Sequence, residues 1–453
     1  MSNKLFEDFD SVSAKQWKQK IQFDLKGANY NDTLIWKTNE GINVKPFYHA
    51  DDFESLNNIS NTKSTQWKIC QDIFVADVKK SNLKAIDIVE RGAESIIFII
   101  PSGTISIKDL TKNLNIENTL FYFELQFLSE EYINKIFTEI SKAIVFTDVI
   151  NHLSKSGNWF NNFNDDLTLF RSIVKKTSSF SIDSSLYQNA GANMVQQLAY
   201  TLAHANEYLN TLEPEEVNLP TLKVTFKVSI GTNYFFEIAK LRALRYLWKT
   251  LATEYKINPN CHIIAKPTKR NKTLYDYNTN MLRTTSECMS AVLGGANTIC
   301  NLAYDAVYHK TNEFGERIAR NQLLILKHES YFNMVNNPTD GSYYIESITN
   351  QLSEKALELF KNIENNGGFL KQLKAGTIQR KIKESASIER RQFENGEEIL
   401  LGTNKYPNPN DKMKHELEIY PFIKTNPRKT LIEPIIEQRL SEHLEQKRLK
   451  NEN

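Results

Sequence analysis

Eight short β-rich runs alternate with amphipathic stretches, and that rhythm constrains the fold of this chain more than any other feature. The runs are DIFVAD (72–77), SIIFII (95–100), TLFYFELQF (119–127), AIVFTDV (143–149), SFSID (179–183), LKVTFKVSI (222–230), HIIAK (262–266) and ANTICN (296–301). Apolar residues recur at spacings of three and four over 82–92, 129–142, 192–210, 233–254 and 278–293, as in helices with one buried face. Strands alternating with helices pair in parallel through helical crossovers. Eight such units close most economically as an α/β fold of the (β/α)8 TIM barrel type; a doubly wound sheet is the alternative.

A chain of 453 residues exceeds a minimal barrel, so extensions are expected. Residues 1–54 lack the rhythm and read as an N-terminal arm, anchored by Trp17, Trp36, Phe47 and Tyr48. Such an arm either folds back on its own barrel or reaches across to another subunit, where these aromatics would form the contact. Residues 55–406 read as the barrel with added helices over 341–366 and 368–394, broken at Gly367 and Gly368. Residues 407–453, with Pro409, Pro421, Pro427 and Pro434, read as a linker and a solvated terminal helix.

With 56 Lys and Arg against 54 Asp and Glu the net charge is +2, so no overall field attracts nucleic acid. Aromatic richness, 25 Phe and 19 Tyr, excludes default disorder. Cys70, Cys261, Cys288 and Cys300 form no CxxC pair, which argues against a disulfide framework or structural zinc and for a reducing compartment. The longest apolar run, 96–101, is far short of a membrane span, and the opening MSNKLFEDFD is acidic where a signal peptide is basic; the expected location is cytoplasmic.

The loop after 179–183 would sit at the carboxyl mouth of a barrel strand, where barrel enzymes place their chemistry. Tyr187 and Gln188 are therefore candidate ligand contacts, although Asn189 and Gly191 can equally cap and turn the loop. Lys266, followed by PTKRNK, could meet phosphates, or belong to a solvated charge run. His204 and His262 have no second ligand at a metal-gripping spacing and read as structural; no metal site is expected. Arg317 and Arg320 could clamp an anion or make ion pairs. The GTN at 231–233 and GGAN at 294–297 are too short for phosphate loops, and no Ser-His-Asp, Walker or GxGxxG pattern is present.

Seven ordered blocks carry a family resemblance: DLKGANYNDTLIWKTNEGINVKPFY (24–48), LYQNAGANMVQQLAYTLAHANEYL (186–209), GTNYFFEIAKLRALRYLW (231–248), MLRTTSECMSAVLGGAN (281–297), ERIARNQLLILKHES (316–330), NPTDGSYYIESITNQL (337–352) and LLGTNKYPN (400–408). They resemble the adenosylcobalamin-dependent methylmalonyl-CoA mutase family, and within it the small, non-catalytic β subunits. The resemblance implies a barrel that in the catalytic subunit threads the pantetheine arm of coenzyme A through its centre. It also implies a large α subunit as partner, which carries adenosylcobalamin and interconverts (R)-methylmalonyl-CoA and succinyl-CoA.

The departures define the expected role. Catalytic members have a Tyr-His pair before the Ala-Gly; here Ser185 and Leu186 stand in those places, and leucine cannot polarise a carbonyl. No counterpart of the family's TIRQY-type motif occurs between Lys45 and Asp77. None of the eight histidines, His415 and His443 included, lies in the D-x-H-x-x-G motif that ligates cobalt. The expectation is a chain with no catalytic residue and no bound cofactor of its own. A stand-alone acyl-CoA-binding barrel or a regulatory partner are the alternatives. The barrel interior discriminates: small or hydroxylated inward residues leave a channel, whereas bulky ones such as Phe226, Val228 and Tyr187 would fill it.

Overall fold

The computed structural model describes residues 10–53, 64–212, 219–424 and 427–452. The expected boundary at 54/55 falls outside them. Eight parallel strands form one sheet: β1 (Lys68–Phe74), β2 (Ser95–Ile100), β3 (Leu120–Leu125), β4 (Ile144–Phe146), β5 (Ser179–Asp183), β6 (Lys223–Ile230), β7 (Cys261–Pro267) and β8 (Thr298–Cys300). Their order, β4-β3-β2-β1-β8-β7-β6-β5, is a TIM-type barrel with β4 and β5 as the closing pair. That seam is stitched by side chains: Ser181 Oγ accepts from Thr147 N at 2.9 Å, and Asp148 Oδ2 accepts from Asp183 N at 2.7 Å.

The first strand differs from its expected span. It occupies 68–74 rather than 72–77, because Asp77 is drawn off to cap the helix Val78–Glu90, its carboxylate accepting from Lys80 N. Helices Met194–Thr211, Tyr234–Glu254 and Thr279–Leu293 cover one side of the barrel. Tyr343–Asn365 ends where expected, at Gly367 and Gly368, both with positive φ. The next expected helix is two, Phe369–Lys374 and Thr377–Glu394, parted at Gly376 with φ 74°.

The arm lies on its own barrel. A two-residue hairpin pairs Trp36 with Val44 and Lys37 with Asn43, burying Ile42 and Val44. The Trp36 ring meets Phe236 edge-on at 5.7 Å, Tyr48 lies against Tyr344, and Trp17 stacks on Phe47 at 4.4 Å. Trp17 and Trp36 keep about half their surface, 45% and 50% exposed.

The C-terminal stretch is not the solvated linker and helix its composition suggests. Residues 427–440 run across the loops at the barrel's carboxyl end, donating from Leu431 N to Gly157 O, Ile435 N to Ser154 O, Gln438 N to Asn189 O and Leu440 N to Arg270 O, at 2.7–3.0 Å. At Gly157, with φ 79°, a Cβ would stand 2.8 Å from Ile432 O, so only glycine admits the crossing segment. The final helix, Glu442–Lys450, buries Glu442 and Glu445, and Glu445 is held by Arg439 at 2.6 Å and accepts from Leu274 N at 2.9 Å. Buried charges with partners this remote in sequence read as surface in a composition scan. Among the described residues no helix is long and apolar enough to cross a membrane.

Candidate functional site

Side chains along a strand alternate between the barrel axis and the helix layer. Towards the amino end of the strands the axis is packed. Tyr122 is fully buried, its hydroxyl 2.8 Å from His262 Nε2 and 2.7 Å from Thr298 Oγ1. Cys70, Ile97, Ile264 and Cys300 complete a buried cluster with Tyr122. The interior is therefore a cup open at the carboxyl end, with a solid floor.

His262 is tied into that floor. Burial, aided by the charge of Arg245, drops its pKa from 6.5 to about 4. The unfolded chain binds a proton here near pH 6.5 while the folded chain does not. Stability is thus full above pH 6.5 and declines as pH falls towards 4, by up to about 3 kcal/mol. His262→Gln is expected to flatten that limb of a pH series of urea denaturations; an unchanged limb would count against a buried neutral imidazole.

Above the floor, five strands end in inward-pointing charges. Lys266 Nζ lies 2.6 Å from Asp72, and Lys227 Nζ lies 2.8 Å from Glu124 and 2.9 Å from Asp183. Burial disfavours the carboxylates of Asp72 and Asp183, but the ammonium groups of Lys266 and Lys227 outweigh it and hold both below the usual range. Burial likewise opposes the charge on each lysine, and Asp72 for Lys266, Asp183 and Glu124 for Lys227, reverse it and raise both. A cavity of about 650 Å³ rises from this layer, walled by the loops after the strands and by Arg428 and Glu437 of the crossing segment.

Of the expected mouth residues, Lys266 lines the cavity, whereas Tyr187 and Gln188 do not. Both sit on the short helix Ser185–Asn189 and turn into the core. Tyr187 is fully buried with its hydroxyl 3.0 Å from His204 Nδ1; His204 Nε2 lies 2.9 Å from Asp148. This Asp-His-Tyr line braces the wall, and His204 stacks flat on Phe369 at 5.5 Å. Gln188 joins a buried network behind β6, donating to Glu237 and accepting from Lys240. Leu186 is core, 2% exposed, while Ser185 reaches the cavity and donates to Asp183.

On β6 the bulky residues that would fill the interior do not face it. Phe226 and Val228 face the helices, Phe226 edge-on to Trp248 at 5.3 Å, and Lys227 and Ser229 face the cavity. The axis is filled by Tyr122 and its neighbours instead. The basic run after Lys266 is not a solvated face: Arg270 pairs with Glu389 at 2.5 Å, and Lys272 with buried Glu287 at 2.8 Å. Arg320 donates to Gln71 behind β1, and Arg317 lies 3.8 Å from Glu313. Asp72, Glu124, Asp148, Asp183 and Lys227 escaped the sequence reading. A lone charge near the carboxyl end of an otherwise apolar or alternating strand, as in KICQDIF and KVTFKVSI, was the available signal. Among the described residues no group of three or more His, Cys, Asp or Glu is placed to hold a metal.

One family model and three known proteins match this chain. A family model for methylmalonyl-CoA mutase matches residues 153–450. The methylmalonyl-CoA mutase small subunit of Porphyromonas gingivalis is 34% identical over 449 residues, covering 89% of this chain and 71% of that protein. The methylmalonyl-CoA mutase of Rhizobium meliloti is 36% identical over 252 residues, covering 54% of this chain and 35% of that protein, and that of Escherichia coli 32% over 251 residues, 54% and 34%. The matched 54% of this chain covers about a third of the length of those two mutases.

Proposed function

Because the chain belongs to the methylmalonyl-CoA mutase family, we propose that it is the small subunit of a heterodimeric mutase, supporting a large subunit that binds adenosylcobalamin and interconverts (R)-methylmalonyl-CoA and succinyl-CoA. The observation that carries this reading is the packed barrel axis. A pantetheine arm threaded through the centre would have to displace Tyr122, Ile97 and Ile264, all buried. The same packing argues against a stand-alone acyl-CoA-binding barrel. At the mouth, five strand-end charges pair with one another, and leucine occupies the place where catalytic members have histidine.

The chain's own residues do not fit a corrinoid. Among the described residues one histidine, His152, lines the mouth, its ring stacked on Phe160 at 3.6 Å, and residues 427–440 cross the loops against which a planar macrocycle would lie. In this reading the chain's contribution is structural: residues 1–54 as a contact arm, 55–406 as the barrel and 407–453 as its cover. The half-exposed rings of Trp17 and Trp36, with Phe47 and Tyr48 beside them, form the contact.

Co-expression with the large subunit of the same organism tests the reading. The two chains are expected to co-purify, with mutase activity that neither isolated chain sustains. Turnover by this chain alone, or failure to form a complex, overturns it. Full activity of the large subunit by itself would favour a regulatory role instead.

A further inference from the structure

The chain has four cysteines, and the fold sets two of them side by side. β8 pairs in parallel with β1 in the register Thr298 to Lys68, Ile299 to Ile69 and Cys300 to Cys70. Residues matched across a ladder project to the same side. Here that side is the barrel axis, where both cysteines belong to the buried cluster around Tyr122. Their thiols lie within hydrogen-bonding reach of each other. The other two are held elsewhere: Cys261 lies against Arg245 in the helix layer, and Cys288, on the helix Thr279–Leu293, donates to Asn301 Oδ1 at 3.4 Å.

Neighbouring strands run about 4.8 Å apart, inside the roughly 4.4–6.8 Å that a disulfide spans between Cα atoms. A cystine also needs its Cβ atoms at about 3.5–4.5 Å, closer than the strand spacing itself. The ladder can yield that much because it ends there: Cys300 is the last residue of β8, and Asn301 already bonds to the helix Glu313–His328 through Ala319 O and Gln322 Oε1. A route from solvent also reaches the pair. A second cavity, of about 420 Å³, shares Asp72 and Lys266 with the mouth cavity, runs past Phe74, Ala303 and His309, and has Cys70 in its lining. Burial, reinforced by the hydrogen bond and charge of Cys300, holds the Cys70 thiol well above its ordinary pKa, so Cys70 rests protonated and reacts slowly.

We propose that Cys70 and Cys300 form an oxidant-responsive dithiol, which hydrogen peroxide entering by the second cavity closes into a disulfide between β1 and β8. The Cys70 sulfur attacks one peroxide oxygen; the O–O bond breaks, and the departing hydroxide takes the thiol proton and leaves as water, giving a sulfenic acid. The Cys300 sulfur then attacks that sulfur; the S–O bond breaks, the S–S bond forms, and the second hydroxide leaves as water with the Cys300 proton. Two thiols lose two electrons in all, and the peroxide is reduced to two waters. No step draws on a partner subunit or an acyl-CoA, so the pair stands apart from the subunit role.

Peroxide treatment of the full chain, followed by unfolding with a thiol-blocking reagent and peptide mapping by mass spectrometry, tests the assignment. Free thiols are expected to fall from four to two, with the Cys70 and Cys300 peptides recovered joined and released again by dithiothreitol. In Cys300→Ala no link should form, and the sulfenic acid of Cys70 should persist and be trapped by dimedone. Cys288→Ala should still form the link. The mapping on the unaltered chain decides the matter whether or not the variants fold. A link through Cys261 or Cys288 overturns the proposal. So does oxygen added to Cys70 without a link in the unaltered chain, or four free thiols at a peroxide level that fully oxidises an unfolded sample.

Discussion

Lys240→Met is expected to lower the folding free energy by about 3–5 kcal/mol, because it strands a carboxylate in the wall of the barrel. Lys240 lies behind β6 with 4% of its side chain exposed, 2.6 Å from a fully buried Glu237. Its ammonium also donates to Gln188 Oε1 at 2.9 Å, Gln197 Oε1 at 3.0 Å and Ser229 O at 2.8 Å. Burial draws its pKa down, and the Glu237 carboxylate opposes that fall. Methionine fills the volume but leaves Glu237 with only Gln188 Nε2 and Gly231 N, and three acceptors without a donor. A domain of ordinary stability has roughly 5–15 kcal/mol in all, so the variant should unfold at much lower denaturant. Adding Glu237→Gln should recover part of the loss, since the stranded charge rather than the missing attraction dominates. A single-variant cost below about 1 kcal/mol would show that the pair is not desolvated.

Asp148→Ala should be of similar size, about 3–5 kcal/mol, through the seam of the barrel. β4 and β5 are joined where Asp148 stands. Its carboxylate accepts from Asp183 N at 2.7 Å, from Asn151 N at 2.9 Å as a helix cap, and from Tyr208 Oη at 2.7 Å, with His204 Nε2 2.9 Å away. Alanine leaves these donors buried and unmatched. The amide of Asp183 is expected to exchange with solvent markedly faster in the variant, whereas those of β2, in the middle of the ladder, follow global unfolding alone. Asp148→Asn keeps an acceptor and should cost less. Unaltered exchange at Asp183 would mean that the seam is held by something other than this carboxylate.

The strands were legible because each carries an apolar face, and SIIFII and SFSID coincide with β2 and β5 to the residue. Which face looks inward was not. In LKVTFKVSI, Val224, Phe226, Val228 and Ile230 alternate with Thr225, Lys227 and Ser229, and nothing local says which set takes the axis. A parallel barrel buries both faces. The broad contact with the helices takes the larger apolar side chains, and the narrow, partly polar cup takes the rest.

The mouth was harder still. Lys266 meets Asp72 across 194 residues and Lys227 meets Glu124 across 103. The loop from Asp183 to Asn189 lies at the mouth as expected, but its helical turn sends Tyr187 and Gln188 into the wall and leaves Asp183, Ser185 and Asn189 to line the cavity. The crossing segment was missed because Arg439, Glu442 and Glu445 look like surface charges until their partners on distant loops are known.

By itself, the order of amino acids determined an eight-strand parallel rhythm, the helix break at Gly367 and Gly368, and membership of the mutase family, because these depend on residues near one another or on ordered blocks. Tertiary structure alone decided that the axis is plugged at Tyr122, that the strand-end charges neutralise one another and that the C-terminal stretch roofs the cup. Each of those arises where strands and loops far apart along the chain are brought together by closure of the barrel, and a period of two cannot say which side of a strand will face its axis.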